Sequence, residues 1–166
     1  MREGYGMGLQ WSMENILAWR SQFDRMERWY ERLRVSPQVP NSDQDRLDFY
    51  LAFFQSCFAL GDWFSESGVI VKDEMDALIQ ADRSMRLCRD VCNRSKHFRL
   101  RRKPSVDGGF SILREYRGDD RPHALAIIAG EQKRDLWNVA GECVGFWQTF
   151  IRDRQIPEPP SPFARP

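Results

Sequence analysis

The sequence predicts a mainly α fold: an antiparallel four-helix bundle with a β-hairpin or small meander between helices 3 and 4. Over four long segments, apolar residues recur at steps of three and four, the spacing that lines one face of a helix. Between the third and fourth segments the pattern shortens to partial alternation around glycine-aspartate turn signals. At 166 residues and 42% hydrophobic, the chain can fill one core and is short for two. The expected organisation is one domain over residues 1–156 and a proline-rich flexible tail over 157–166.

In the first segment Ile16, Trp19, Phe23, Met26, Tyr30 and Leu33 form the apolar stripe. Arg20, Asp24, Arg25, Glu27 and Arg28 lie between them, as on a helix packed along one side. The prolines of VSPQVPN cannot continue the hydrogen-bond ladder and end it. Ser42 with Asp45 three residues on resembles a capping box, which opens a second helix over 43–65. Leu47, Phe49, Tyr50, Leu51, Phe53, Phe54, Cys57, Phe58, Leu60 and Phe64 surround most of that helix. A helix apolar on nearly every side is either central in its bundle or buried against a second subunit, so a homodimer is expected. Gly68 is placed for a left-handed cap, and a third helix starts near Asp73 with Leu78, Ala81, Met85, Cys88 and Cys92 as its buried stripe.

After His97 the period changes. FRLRRKP, GFSILREY and HALAIIAG are short, partly alternating segments separated by Asp107-Gly108-Gly109 and Gly118-Asp119-Asp120. The last helix starts between Glu131 and Asp135 and carries Leu136, Val139, Cys143, Phe146, Trp147 and Phe150 inward. Gly141 and Gly145 on it offer a close backbone approach, at a cost in helix propensity. The tail IPEPPSPFARP holds five of the nine prolines, which favours extended chain.

A formal charge of +1 gives no global reason to expect nucleic acid, membrane or an acidic substrate. The most apolar stretch, LDFYLAFFQSCFALGDWF, contains Asp48, Gln55 and Asp62, each costly in lipid, so no membrane partner is expected. MREGYGMGLQ has no apolar h-region, which points to the cytoplasm. Cys57, Cys88, Cys92 and Cys143 sit in helical patterns and read as reduced core thiols. Four thiolates meeting in the interior would suit zinc, but there is no C-x2-C knuckle, and neither a metal nor a cofactor is expected. His123, with no carboxylate patterned around it, reads as a surface residue. Nucleotide-loop, dinucleotide and zinc-protease motifs are missing from the sequence.

The chemistry-bearing stretch is DVCNRSKHF. At 100° per residue Arg86, Asp90, Asn93 and His97 cluster on one side of the third helix, opposite Ala81, Cys88 and Cys92. As a solvated face this is a polar stripe with one pair between Arg86 and Asp90. As a site, His97 supplies a proton donor or acceptor near neutral pH. Arg89 and Arg94 hold phosphate, Asn93 orients a partner, and Asp90 completes the set. These parts suit metal-independent cleavage of RNA, whose 2′-hydroxyl is its own nucleophile. Lys96, Arg99, Arg101, Arg102 and Lys103 extend the stretch as a cationic strip for RNA or an acidic protein partner. Alternation also allows Arg99 and Arg101 to be the charged edge of a strand.

The antiparallel helices with a polar Asn-x3-His terminus and a basic segment after it resemble the HEPN superfamily of small helical prokaryotic domains. The resemblance implies a dimer that brings two motifs together to cleave RNA, as in toxin-antitoxin and antiviral defence systems. The family's signature is an arginine, usually followed by a polar residue, then a histidine at a spacing shorter than Arg89 to His97 and longer than Arg94 to His97. Seven residues separate Arg89 from His97, and two separate Arg94 from His97. Family members without the signature look like non-catalytic dimerisation or partner-binding modules, and a structural helical subunit is the third expectation.

Overall fold

In a computed structural model, residues 18–39, 42–96, 109–119 and 121–158 are described. The fold is mainly helical, with five α-helices among the described residues and a small antiparallel sheet. Helix α1 spans Trp19–Val35 and runs into a 3-10 turn at Ser36–Gln38. Helix α2 spans Asp43–Glu66, α3 Lys72–Ala81, α4 Arg83–Lys96 and α5 Leu136–Asp153. Strands β1 (Phe110–Glu115), β2 (Ala124–Ala129) and β3 (Gln132–Asp135) lie in that order in the sheet, between α4 and α5.

Local chemistry explains several of these limits. The Ser42 hydroxyl accepts from the Asp45 N–H at 3.0 Å, and the Asp45 carboxylate accepts the Ser42 N–H at 3.0 Å, so the capping box is closed in both directions. Gly68 ends α2 at φ +72, a conformation a side chain would strain. The expected third helix is two helices. Asp82 is extended (φ −94, ψ 126), and its Oδ1 accepts the Met85 N–H at 2.8 Å, ending α3 and capping α4. Ala81, expected inside, is exposed at that break, and Met75 and Ile79 are buried in its place.

The sheet also differs from its expected segments. GFSILREY and HALAIIAG contain β1 and β2, which pair from Phe110 with Ala129 to Glu115 with Ala124. The third strand is QKRD, joined to β2 through Gly130 at φ +61, and α5 accordingly begins one residue past its expected range, at Leu136. FRLRRKP lies outside the described residues, as do Ile16 and tail residues 159–166. Glu158, in the first part of the tail, pairs with Arg20 at 2.8 Å.

The core lies where α1, α2, α4 and α5 meet. Trp19 stacks on Phe64 with ring centroids 5.0 Å apart, and Phe64 stacks on Trp147 at 5.5 Å, which carries one aromatic column from α1 through α2 to α5. The apolar circumference of α2 is uneven: Phe53, Phe54, Cys57, Leu60 and Phe64 are fully buried, whereas Leu47, Phe49, Leu51 and Phe58 are half-buried. Phe146 on α5 is likewise half-buried. A Cβ on Gly141 would stand 3.2 Å from the Tyr30 hydroxyl, so α1 makes the close approach there, while Gly145 faces open space. Among the described residues, no helix is long and apolar enough to cross a membrane.

Candidate functional site

Helix α4 divides the chemistry-bearing stretch. Met85, Cys88, Val91 and Cys92 are buried, and so is Asp90, at 4% exposure, although it stands opposite Cys88 on the helical wheel. The expected wet stripe is therefore interrupted at its centre. A carboxylate taken out of water requires partners, and the Arg89 Nε lies 3.9 Å from the Asp90 Oδ1. Arg86 is half-buried and donates through Nη1 to the carbonyl of Gln80 at 2.6 Å, and Asn93 is half-buried. Arg94 and Lys96, in the last turn, are exposed. His97, Arg99, Arg101, Arg102 and Lys103 lie outside the described residues.

A second constellation joins residues far apart in sequence. His123 Nδ1 lies 2.8 Å from the Asp43 Oδ2, and Arg114 Nη1 donates to the same oxygen at 3.0 Å. His123 keeps a third of its side chain exposed, and the carboxylate it faces, not patterned around it in the sequence, stands 80 residues away. Partial burial pushes the Asp43 carboxyl up, but hydrogen bonds and charge from His123 and Arg114 outweigh it and hold the group below the usual carboxylate range. Arg46, from the first turns of α2, donates through Nη1 to the carbonyl of His123 and lies 3.5 Å from Asp43. Together these bonds clamp the start of α2 onto the sheet.

Beside this clamp is a cleft of about 290 Å³ lined by Leu33, Arg34, Pro37, Arg46, Tyr50, Arg117, Ala124, Leu125, Asp135 and Trp137. Its one carboxylate is committed to protein donors: Asp135 Oδ1 accepts the Trp137 N–H at 2.7 Å, capping α5, and Oδ2 accepts from Arg117 at 3.0 Å. Burial, with Asp135 second, pushes the Tyr50 hydroxyl far above the usual tyrosine range, so it stays protonated. Sequence reasoning missed this cleft, whose residues come from four helical elements, counting the 3-10 turn, two strands and the β1–β2 connection.

In the core, the Sγ atoms of Cys57, Cys88 and Cys143 lie within 4.8 Å of one another, one each from α2, α4 and α5. The convergence that zinc would require is thus met by three of the four cysteines, and Cys92 is not in the group. Trp147 Nε1 donates to the Cys57 carbonyl at 3.1 Å and lies 3.3 Å from its sulfur. Burial pushes the Cys88 and Cys143 thiols well above the usual cysteine range.

Comparison with family models, characterised proteins and solved structures finds no significant match in any of the three.

Proposed function

We propose that this chain is a HEPN-like helical domain that binds RNA at the C-terminal end of α4, as a binding module and not as a ribonuclease. The observation that supports this reading is the division of the stretch itself. Arg89 stands beside the buried Asp90, while Arg94 and Lys96 reach solvent at the point where the sequence runs on into Arg99, Arg101, Arg102 and Lys103. An arginine beside a buried carboxylate is a poor phosphate clamp, whereas exposed cations in sequence suit a polyanion. A homodimer is part of the proposal, with the half-buried Leu51 and Phe58 side of α2 as the face that a second copy covers.

The test is one assay on labelled single-stranded RNA in EDTA, reading retention and cleavage together at several salt concentrations. Six cations engaging phosphates give a slope of log affinity against log salt of about −4 for a single strand. The double substitution Arg94→Ala and Lys96→Ala should reduce that slope by about 1.4. Wild-type protein that retains no RNA at low salt refutes the reading. Cleavage lost in His97→Ala replaces it with the catalytic one, in which His97 is the general acid or base and Asn93 orients it. Sedimentation as a monomer at tens of micromolar removes the dimer.

A further inference from the structure

We propose that the cleft between the end of α1, the first turns of α2 and the β2–β3 side of the sheet binds an organic phosphate monoester. No residue of α4 lines it, so the inference is independent of RNA binding at the end of that helix. Three guanidinium groups, Arg34, Arg46 and Arg117, face one carboxylate, Asp135, a lining balance of three minus one, or +2. Outside the cleft, Glu31 pairs with Arg34 at 2.5 Å, Asp43 lies 3.5 Å from Arg46 and Arg114 pairs with Asp43 at 3.0 Å; counting two acids and one base, these neighbours bring the balance to about +1. Both oxygens of Asp135 already accept from protein N–H groups, so the carboxylate does not close the cleft to an anion.

Two donors there are incompletely used. Arg46 is 7% exposed, and its Nε is fully buried with no partner among the described residues. Native folds rarely leave such a group unanswered, and a bound oxyanion or ordered water at this corner is the usual completion. The Tyr50 hydroxyl also has no hydrogen-bond partner among the described residues, and it remains a neutral donor at physiological pH. Guanidinium groups from three elements and one hydroxyl, arriving from different directions, match the several oxygens of a tetrahedral dianion better than the two coplanar oxygens of a carboxylate.

The rest of the wall favours an organic body over a bare ion. Leu33, Pro37 and Trp137 supply apolar surface, and Trp137 is held in place by stacking on Tyr30 with centroids 4.7 Å apart and planes 3° from parallel. A volume of about 290 Å³ takes a phosphate together with a small flat group.

Isothermal titration of the full chain with adenosine monophosphate tests this, with adenosine, inorganic phosphate and benzoate as separate arms. Saturable binding of the monophosphate, tighter than any of the three controls, is expected. Arg117→Gln should weaken it about tenfold by removing a charge-assisted donor, and Tyr50→Phe about fivefold by removing a neutral one. Both substitutions leave the Asp135 cap on α5 in place, whereas Arg46→Gln also loosens the His123 clamp and is the less informative variant. No saturable binding at millimolar ligand overturns the proposal. So does binding that both variants leave unchanged, and so does inorganic phosphate, adenosine or benzoate binding as tightly as the monophosphate.

Discussion

Phe64 offers the most decisive test of how this domain is held together. Its ring is fully buried and lies 5.0 Å from Trp19, 5.5 Å from Trp147 and 5.0 Å from Phe150, so it ties α1 and α5 to α2. Phe64→Ala removes that ring from a site closed on all sides. Core Phe→Ala substitutions cost about 3–5 kcal/mol, and three ring partners place this one toward the upper end, at about 4–5 kcal/mol. Domain stabilities of about 5–15 kcal/mol make this a third or more of the total. Phe58→Ala is the control: the same change on the same helix, but at a half-buried ring, where about 1 kcal/mol of transfer free energy is lost. Urea unfolding followed by far-UV circular dichroism should separate the two by about 3 kcal/mol, or roughly 6–12 °C in melting temperature. Equal losses would refute the division of α2 into a closed side and a half-open side. Repeating the Phe58→Ala measurement at two protein concentrations also probes the proposed dimer, since a covered face makes its cost concentration-dependent.

Asp82→Ala should cost about 1 kcal/mol by removing the cap on the Met85 N–H, and Asp82→Asn should retain most of the stability; thermal melts of both variants check this. Asp43 gives a pH signature. Its carboxyl is held below its ordinary value in the fold, so its contribution is fully present above the unfolded pKa of about 3.9 and is lost as pH falls through the lower folded value. The difference in urea midpoint between wild type and Asp43→Asn should therefore shrink as pH falls below about 4. A difference that grows on acidification would contradict the clamp.

Features encoded within a few residues were legible in the sequence: the Ser42 box, the Gly68 cap and the limits of α2 all depend on neighbours. The strand QKRD was not, because four polar residues carry no alternation. Its pairing with β2 and the turn at Gly130 make it a strand. The Asp82 break was hidden because an aspartate in a charged helical pattern reads as surface until its cap geometry is seen. Asp90 shows the limit of helical-wheel arithmetic, which fixes where a side chain stands on its helix but not what covers it. The clamp and the arginine cleft were out of reach for the same reason, since Asp43 and His123, or Arg46, Arg117 and Trp137, meet only through tertiary packing.

The sulfur cluster gives this fold a dependence on its own history. While the helices are docked, Cys57, Cys88 and Cys143 are buried and shielded from oxidants in solution. Each global opening exposes all of them at once, together with Cys92, on a chain that then joins any two through flexible loops. A disulfide captured in that interval holds two sulfurs at about 2 Å, closer than any non-bonded sulfur contact in the docked core, so the molecule does not return unchanged to its starting state. Unfolding should thus be more reversible with a thiol reductant than without one, and without one the apparent melting temperature should depend on heating rate.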